Sequence, residues 1–114
     1  MICEGCMDLI VTIVRKGWAE EVVKASRRAG AEGGTILHGR GTGIHEKKTI
    51  LGIAIEPEKD VVLTVVNPEQ TDRVLDEIMK AADLDKPGMG IGFVIRLERV
   101  IGRVHMFEKE SGWD

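Results

Sequence analysis

The apolar residues of this chain follow two different spacings, and each spacing predicts one kind of element. The run LIVTIV at 9–14 is continuous and rich in β-branched side chains, which is typical of a strand buried on both faces. From Trp18 to Ala29 the apolar residues recur every three or four positions with charged residues between them. This stretch therefore predicts an amphipathic helix that ends at Gly30. The segment TILH at 35–38 predicts a second strand.

Two further strands are predicted in the middle of the chain. Residues 47–55 alternate loosely between apolar and polar side chains, which favours a third strand. The segment PEKD at 57–60 is typical of a turn. The apolar run VVLTVV at 61–66 then predicts another buried strand.

A second helix is predicted from its start signals. Asn67 is a favourable cap, Pro68 suits the first helical position, and Gln70 stands where a capping box places its return hydrogen bond. The residues that follow repeat at helical spacing. Their apolar stripe consists of Val74, Leu75, Ile78, Ala81 and Ala82.

The order of these elements indicates the fold class. After a glycine-rich segment, FVIRL at 93–97 predicts the last strand, so the order is strand, helix, strand, strand, strand, helix, strand. This order fits the α+β class and the split βαβ, or ferredoxin-like, sandwich, an antiparallel sheet with two helices on one face. We expect a single domain over residues 1–114, with a core at about 8–104 and terminal extensions at 1–7 and 105–114. Because so short a chain exposes much surface for its volume, we also expect copies to associate.

Charge and hydropathy limit the classes of partner. Sixteen Lys and Arg against nineteen Asp and Glu give a formal net charge of −3, and the basic residues are scattered along the chain, which argues against nucleic-acid binding. No apolar stretch approaches the roughly 20 residues that cross a bilayer, and the first residues lack the pattern of a signal peptide. We therefore expect a cytoplasmic protein that does not insert into a membrane.

The sequence gives little support to metal or catalytic chemistry. Cys3 and Cys6 form a single CxxC pair, and two ligands do not close a structural zinc site by themselves. We interpret the pair as part of a terminal tail, and His38 and His105 as structural residues. No triad and no pair of carboxylates stands out at a loop, so the sequence predicts a protein that is not an enzyme.

Two glycine-rich segments, HGRGTG at 38–43 and LDKPGMGIG at 84–92, lie beside predicted strands. Glycine permits positive φ and leaves backbone N–H groups accessible, so consecutive amides can surround one anion. Arg40 and Lys86 add positive charge, which is typical of phosphate recognition. Glycine-rich turns also occur where a sheet bends, and neither segment matches GxGxxG or a P-loop, so the pattern leaves both interpretations open.

In this order the two segments resemble those of the P-II family, trimeric signalling proteins that bind adenine nucleotides, and the resemblance covers approximately Asp8 to Arg103. The family has a Gly-x-Gly step before a mobile T-loop, which corresponds here to residues 39–41. Its B-loop surrounds the nucleotide phosphates and corresponds to residues 86–90. Two strand residues match apolar positions near the adenine, with plain core burial as the alternative. The resemblance thus implies nucleotide-binding roles for Ile13, Gly39, Arg40, Gly41, Val65, Lys86, Gly88, Met89, Gly90 and Arg103.

The chain departs from classical members of the family at several positions. Ile91 stands in place of a second B-loop lysine, and Gly43 in place of the glutamine that helps hold magnesium and 2-oxoglutarate. The chain has no tyrosine for T-loop uridylylation, and Arg103 lies one position away from the family's C-terminal arginines. The resemblance therefore points to the broader PII-like group rather than to the classical nitrogen sensors.

The resemblance implies a mechanism without catalysis. A homotrimer would hold ATP, ADP or AMP in clefts between neighbouring chains, with a role for magnesium left open, and a short T-loop would regulate a partner protein such as a membrane transporter. The partner-binding loop would consist of Thr42, Gly43, Ile44, His45, Glu46, Lys47 and Lys48. An alternative on the same scaffold is a trimeric metal-binding protein that uses Cys3, Cys6 or histidines from neighbouring chains.

Overall fold

A computed structural model of the chain describes residues 5–42, 48–55 and 57–102. Within these residues the chain forms six strands and two α-helices, and a single 3₁₀ turn at Pro68–Gln70 precedes the second helix. In chain order they are β1 (Met7–Arg15), α1 (Ala19–Arg28), β2 (Thr35–Arg40), β3 (Lys48–Ile50), β4 (Ile53–Ile55), β5 (Glu58–Val66), α2 (Thr71–Ala81) and β6 (Gly90–Leu97).

Four of the strands form one antiparallel sheet in the order β2-β5-β1-β6. The long apolar strand β1 lies inside the sheet, where Ile13 stands opposite Val61 of β5 and Ile91 of β6. The edges are β2 and β6. With both helices packed on one face, this arrangement confirms the predicted α+β, ferredoxin-like fold.

The core lies between the helices and one face of the sheet. Alternate residues of β1 and β5 point to this face, among them Ile10, Val14, Val62 and Val66, each at most 1% exposed. Burial of such a side chain stabilises the fold by about 1.5–3 kcal/mol. The helices contribute Val22, Val74, Ile78 and Ala82.

The face of the sheet away from the helices, called here the open face, is apolar but only partly covered. The residues between the core positions of β5 are half-buried, so this strand, predicted to be buried, is fully buried on one face only. Toward the sheet edges exposure rises to 46% for Leu37, 57% for Ile91 and 41% for Phe93. The chain thus carries more apolar surface on this face than it covers by itself.

All four strands of the main sheet are longer than predicted. β1, predicted over 9–14, spans Met7–Arg15. Residues 58–60, predicted as a turn, belong to β5; Gly39 and Arg40 extend β2; and Gly90 and Gly92 belong to β6. These additional residues pair with neighbouring strands, and that pairing extends the strands. The sequence pattern does not show which residues will pair. At Gly90, where φ is +147°, a Cβ atom would lie 2.4 Å from the Ile13 carbonyl oxygen, so only glycine lets β6 approach β1 this closely.

The prediction of one strand over 47–55 is wrong. The chain reverses at Leu51 and Gly52, which have φ of 53° and 78°, and β3 and β4 pair as a separate two-stranded ribbon. Two successive positive φ values are the requirement of a type I′ hairpin turn. Leucine is unusual there, and its side chain is 96% exposed.

The start of the second helical segment is as predicted. The Asn67 N–H donates to Gln70 Oε1 at 3.3 Å, the return bond of a capping box. Gln70 also links the two helical segments, because its Nε2 donates to the Gly30 carbonyl at 3.3 Å. Neither helix in the described residues has the length and apolar character needed to span a membrane.

Candidate functional site

Both glycine-rich segments lie at the same end of the four-stranded sheet. Neighbouring strands are antiparallel, so the carboxyl ends of β1 and β2 meet the amino ends of β5 and β6. In the last rung shared by three strands, Gly39 lies opposite Lys59 and Lys59 lies opposite Arg15. We call this end the basic end of the sheet, because its strand ends and the α2–β6 loop (residues 82–89) carry Arg15, Lys16, Arg40, Lys59 and Lys86.

The two predicted phosphate-binding segments occupy opposite edges of this end. Residues 39–41 close β2, and residues 86–90 lead into β6, with β5 and β1 between them. Three strand spacings of about 4.8 Å put the two edges roughly 14 Å apart across the sheet. A compound that contacts both segments must therefore span the sheet end or lie where two chains meet.

Arg15 holds the α2–β6 loop against β1. Its Nε donates to the Gly88 carbonyl at 2.9 Å, and Gly88 takes a φ of +81°. Within the loop the Lys86 N–H donates to the Asp83 carbonyl at 3.0 Å, while the Lys86 ammonium lies 3.9 Å from the Asp83 carboxylate. The sequence analysis did not identify Arg15 as a candidate site residue. The only signal for it in the sequence was its position directly after the apolar run at 9–14.

At the other edge, the basic end contains a cleft of about 430 Å³ between β2, β5 and the residues after β1. A second cleft of about 360 Å³ shares His38 and Asp60 with it. The first is lined by Lys16, His38, Gly39, Arg40, Glu58, Lys59 and Asp60. Cationic side chains thus outnumber carboxylates around it, which suits a small anion.

Asp60 is the buried charge of this cleft. It is 4% exposed, its Oδ2 accepts the Gly17 N–H at 2.9 Å, and its Oδ1 lies 3.2 Å from His38 Nδ1. Burial raises the pKa of Asp60, but the backbone N–H groups and His38 lower it by more, so the pKa lies below its ordinary value. Asp60 therefore remains a carboxylate that fixes the turn between β1 and α1.

A second ion pair at the cleft is exposed. Lys16 Nζ lies 2.6 Å from Glu58 Oε2. This hydrogen bond raises the pKa of Lys16 and lowers the pKa of Glu58. Solvent screens such a pair, so it contributes little to stability.

The predicted adenine-flanking residues are not adjacent within one chain. Both lie on the open face, but Ile13 pairs with Val61 and Val65 pairs with Leu9. Four residues separate the two rungs, roughly 13 Å at about 3.3 Å per residue. Arg103 and residues 43–47 lie outside the described residues, Thr42 is exposed, and Lys48 begins β3.

No group of three or more His, Cys, Asp or Glu side chains in the described residues is placed to hold a metal ion. Cys6 is 4% exposed and disulfide-bonded. Cys3 and His105, the other residues of the metal-binding alternative, lie outside the described ranges.

The fold and the basic end define a small α+β domain with glycine-rich segments at one end of its sheet. Comparison with known families identifies it further: the model of the nitrogen regulatory protein P-II family matches residues 7–104. The chain belongs to this family, and it is a PII-like signalling protein. Members of the family are regulators rather than enzymes, and they typically form homotrimers. No curated protein matches the chain.

Proposed function

We propose that this P-II family member binds an adenine nucleotide at the basic end of the sheet and regulates a partner protein according to the nucleotide bound. The nucleotide is ATP or ADP, with AMP as a further candidate ligand. Binding alone carries the signal, because an effector shifts a conformational equilibrium by its different affinity for the two states.

The observation that carries this proposal is the convergence of glycines and cations at the basic end. Lys86 and Gly88 at one edge and Arg40 and Gly41 at the other come from distant parts of the sequence, and the antiparallel pairing gathers them. Guanidinium and ammonium groups beside accessible backbone suit phosphate oxygens. These four residues lie at the same end of the sheet, which supports the proposal, whereas Val65 lies several rungs away from it.

The open face supports assembly into a homotrimer. Leu37, Ile91, Phe93 and Ile95 are 41–57% exposed there, beside half-buried residues of β1 and β5. A contiguous apolar surface of this kind marks an interaction site. Closed threefold symmetry then provides three equivalent clefts between chains.

The segment between β2 and β5 supports the signalling step. It leaves the sheet at Gly41, directly beside the basic end, and includes the β3–β4 ribbon, which has no place in the four-stranded sheet. Leu51 at the turn of the ribbon exposes 96% of its side chain. A nucleotide at Gly39–Gly41 therefore acts on the base of the segment that contacts the partner.

Calorimetric titration with ATP, ADP and AMP, with and without magnesium, tests the proposal. We expect micromolar binding of ATP and ADP, and roughly tenfold weaker binding in Lys86→Ala, because a charge-assisted contact to phosphate is lost. Lys24→Ala is the matched control. Lys24 lies 3.9 Å from Glu21 at i,i+3 with 64% of its side chain exposed, as Lys86 lies 3.9 Å from Asp83 with 67% exposed.

The titration distinguishes binding at the basic end from the absence of nucleotide binding. If wild type and Lys24→Ala bind ATP equally and Lys86→Ala binds weakly, the site is the basic end. If wild type binds none of the three nucleotides, nucleotide sensing is wrong for this chain.

A further inference from the structure

Arg15 is the one side chain of β1 that contacts the α2–β6 loop through a hydrogen bond in the described part of the chain. Its Nε donates to the Gly88 carbonyl at 2.9 Å across a separation of 73 residues. Its Nη2 lies 3.3 Å from the position that a Cβ atom at residue 88 would take. The guanidinium thus packs directly on the bend of the loop, where Gly88 leaves room for it.

This single bond leaves most of the guanidinium available. Arginine carries five N–H donors, and the Gly88 carbonyl uses only the one at Nε. The side chain is exposed at the basic end of the sheet. Among the described residues the Gly88 N–H also donates no hydrogen bond. The guanidinium and this backbone N–H thus provide donors at the same bend.

The charges beside Arg15 indicate what these donors would bind. Lys59 lies directly opposite Arg15 on the neighbouring strand, and opposite residues of a pair share one face of the sheet. Lys86 adds a third cation in the loop, and the Asp83 carboxylate lies 3.9 Å from its ammonium. Together these cations favour a ligand with several negative charges, such as a polyphosphate.

We propose that Arg15 binds the β- or γ-phosphate of the nucleotide and, through Gly88, positions the α2–β6 loop around it. This inference rests on the proposed function and adds to it a residue that distinguishes polyphosphates from monophosphates. The Nε donor fixes the loop, and the Nη donors contact the phosphate in the fork geometry that guanidinium provides.

The test compares Arg15→Ala, Arg15→Lys and Arg28→Ala with wild type. Arg28 is the charge-matched control, since it is exposed in the last turn of α1, far from the basic end. We expect Arg15→Ala to weaken ATP binding about tenfold and AMP binding about twofold or less, because only the polyphosphate reaches the guanidinium. Arg15→Lys keeps the charge but loses the Nε bond, and we expect an intermediate affinity for ATP.

Amide hydrogen exchange of the unliganded proteins tests the positioning role separately. The Met89 N–H donates to the Lys86 carbonyl at 3.4 Å inside the loop, and we expect it to exchange faster in both Arg15 variants than in Arg28→Ala. Unchanged exchange would contradict the positioning role. Circular dichroism shows whether each variant is folded. If Arg15→Ala does not fold, Arg15→Lys is used for the comparison instead.

The results distinguish this inference from the proposed function. If wild type binds ATP and Arg15→Ala binds it as tightly as Arg28→Ala does, the inference is wrong and the proposed function stands. If wild type binds none of ATP, ADP and AMP, both are wrong. A selective loss of ATP over AMP in Arg15→Ala supports both.

Discussion

Asp60 shows how one residue connects three elements at the basic end. It stands on β5, accepts the N–H of Gly17 from the turn before α1, and faces His38 on the edge strand β2. The same carboxylate lines the cleft together with Lys16, Arg40 and Lys59. Asp60 therefore fixes the end of the sheet at which the chain leaves β2 at Gly41.

Replacing Asp60 with asparagine should make the free energy of unfolding depend less on pH in the acid range. We expect Asp60→Asn to lower the free energy of unfolding by about 1–3 kcal/mol at pH 7, because a buried charge-assisted hydrogen bond is weakened. The pKa of Asp60 in the folded protein lies below the ordinary value of 3.8. The carboxylate's contribution is therefore fully present above that value and is lost as the pH falls through the folded pKa.

Urea unfolding at pH 7 and at pH 3 checks this prediction. The difference between wild type and Asp60→Asn should be smaller at pH 3. An equal difference at both pH values would contradict the role assigned to the carboxylate.

Among the elements, α2 and β6 are joined to β1 by one buried carboxylate. Asp8 is 4% exposed, accepts the Thr71 hydroxyl at 2.6 Å and accepts Arg96 Nε at 2.6 Å. Thr71 is the first residue of α2, and Arg96 lies opposite Asp8 on β6. The helix start and the edge strand thus share one partner.

Two buried threonines give a matched test of this arrangement. Thr71→Val removes a donor from Asp8 and should cost about 1–2 kcal/mol of stability. Thr12→Val should be neutral or stabilising, because the Thr12 hydroxyl is buried without a hydrogen-bond partner. Urea unfolding of both variants measures the two free energies. Equal losses would show that the Asp8 bond contributes nothing beyond packing.

The sequence predicted the elements whose signal is local. Apolar runs located β1 and β5, and the cap at Asn67 located the start of the α2 segment. Strand ends were missed where polar residues such as Glu58 resemble a turn but pair in the ladder. The hairpin at Leu51 was missed because leucine is not a residue that turn chemistry favours.

The candidate site was predictable only in part for the same reason. Glycines and the lysine of residues 86–90 stand together in the sequence and were found there. Arg15 reaches Gly88 only because β1 and β6 pair, and 73 residues separate the two. Such a contact can be predicted only when the strand order of the sheet is known. Neither the sequence around Arg15 nor the sequence around Gly88 indicates it.

At the scale of the whole molecule, the open face leaves apolar side chains exposed, and we proposed that copies of the same chain cover it. Phe93 lies on this face in the edge strand β6, opposite Val11 of β1, and is 41% exposed. Hydrophobic burial between copies would remove this surface from water. Met79 in α2, on the opposite side of the sheet, is exposed to a similar extent (44%) but does not belong to the open face.

These two residues allow a test of assembly. Phe93→Asp should dissociate the proposed trimer into monomers, since a charge buried in an apolar interface without a partner is strongly unfavourable. Met79→Asp should leave the trimer intact. Sedimentation of both variants against wild type gives the answer, and a trimeric Phe93→Asp would contradict the assignment of the open face as the interface.

Native mass spectrometry of the wild-type protein with ATP tests the central claim most directly, because it reports assembly and ligand together. The account predicts a particle of three times the 12.5 kDa chain mass that takes up as many as three ATP molecules. A monomer, or a trimer that remains free of nucleotide at millimolar ATP, would contradict it.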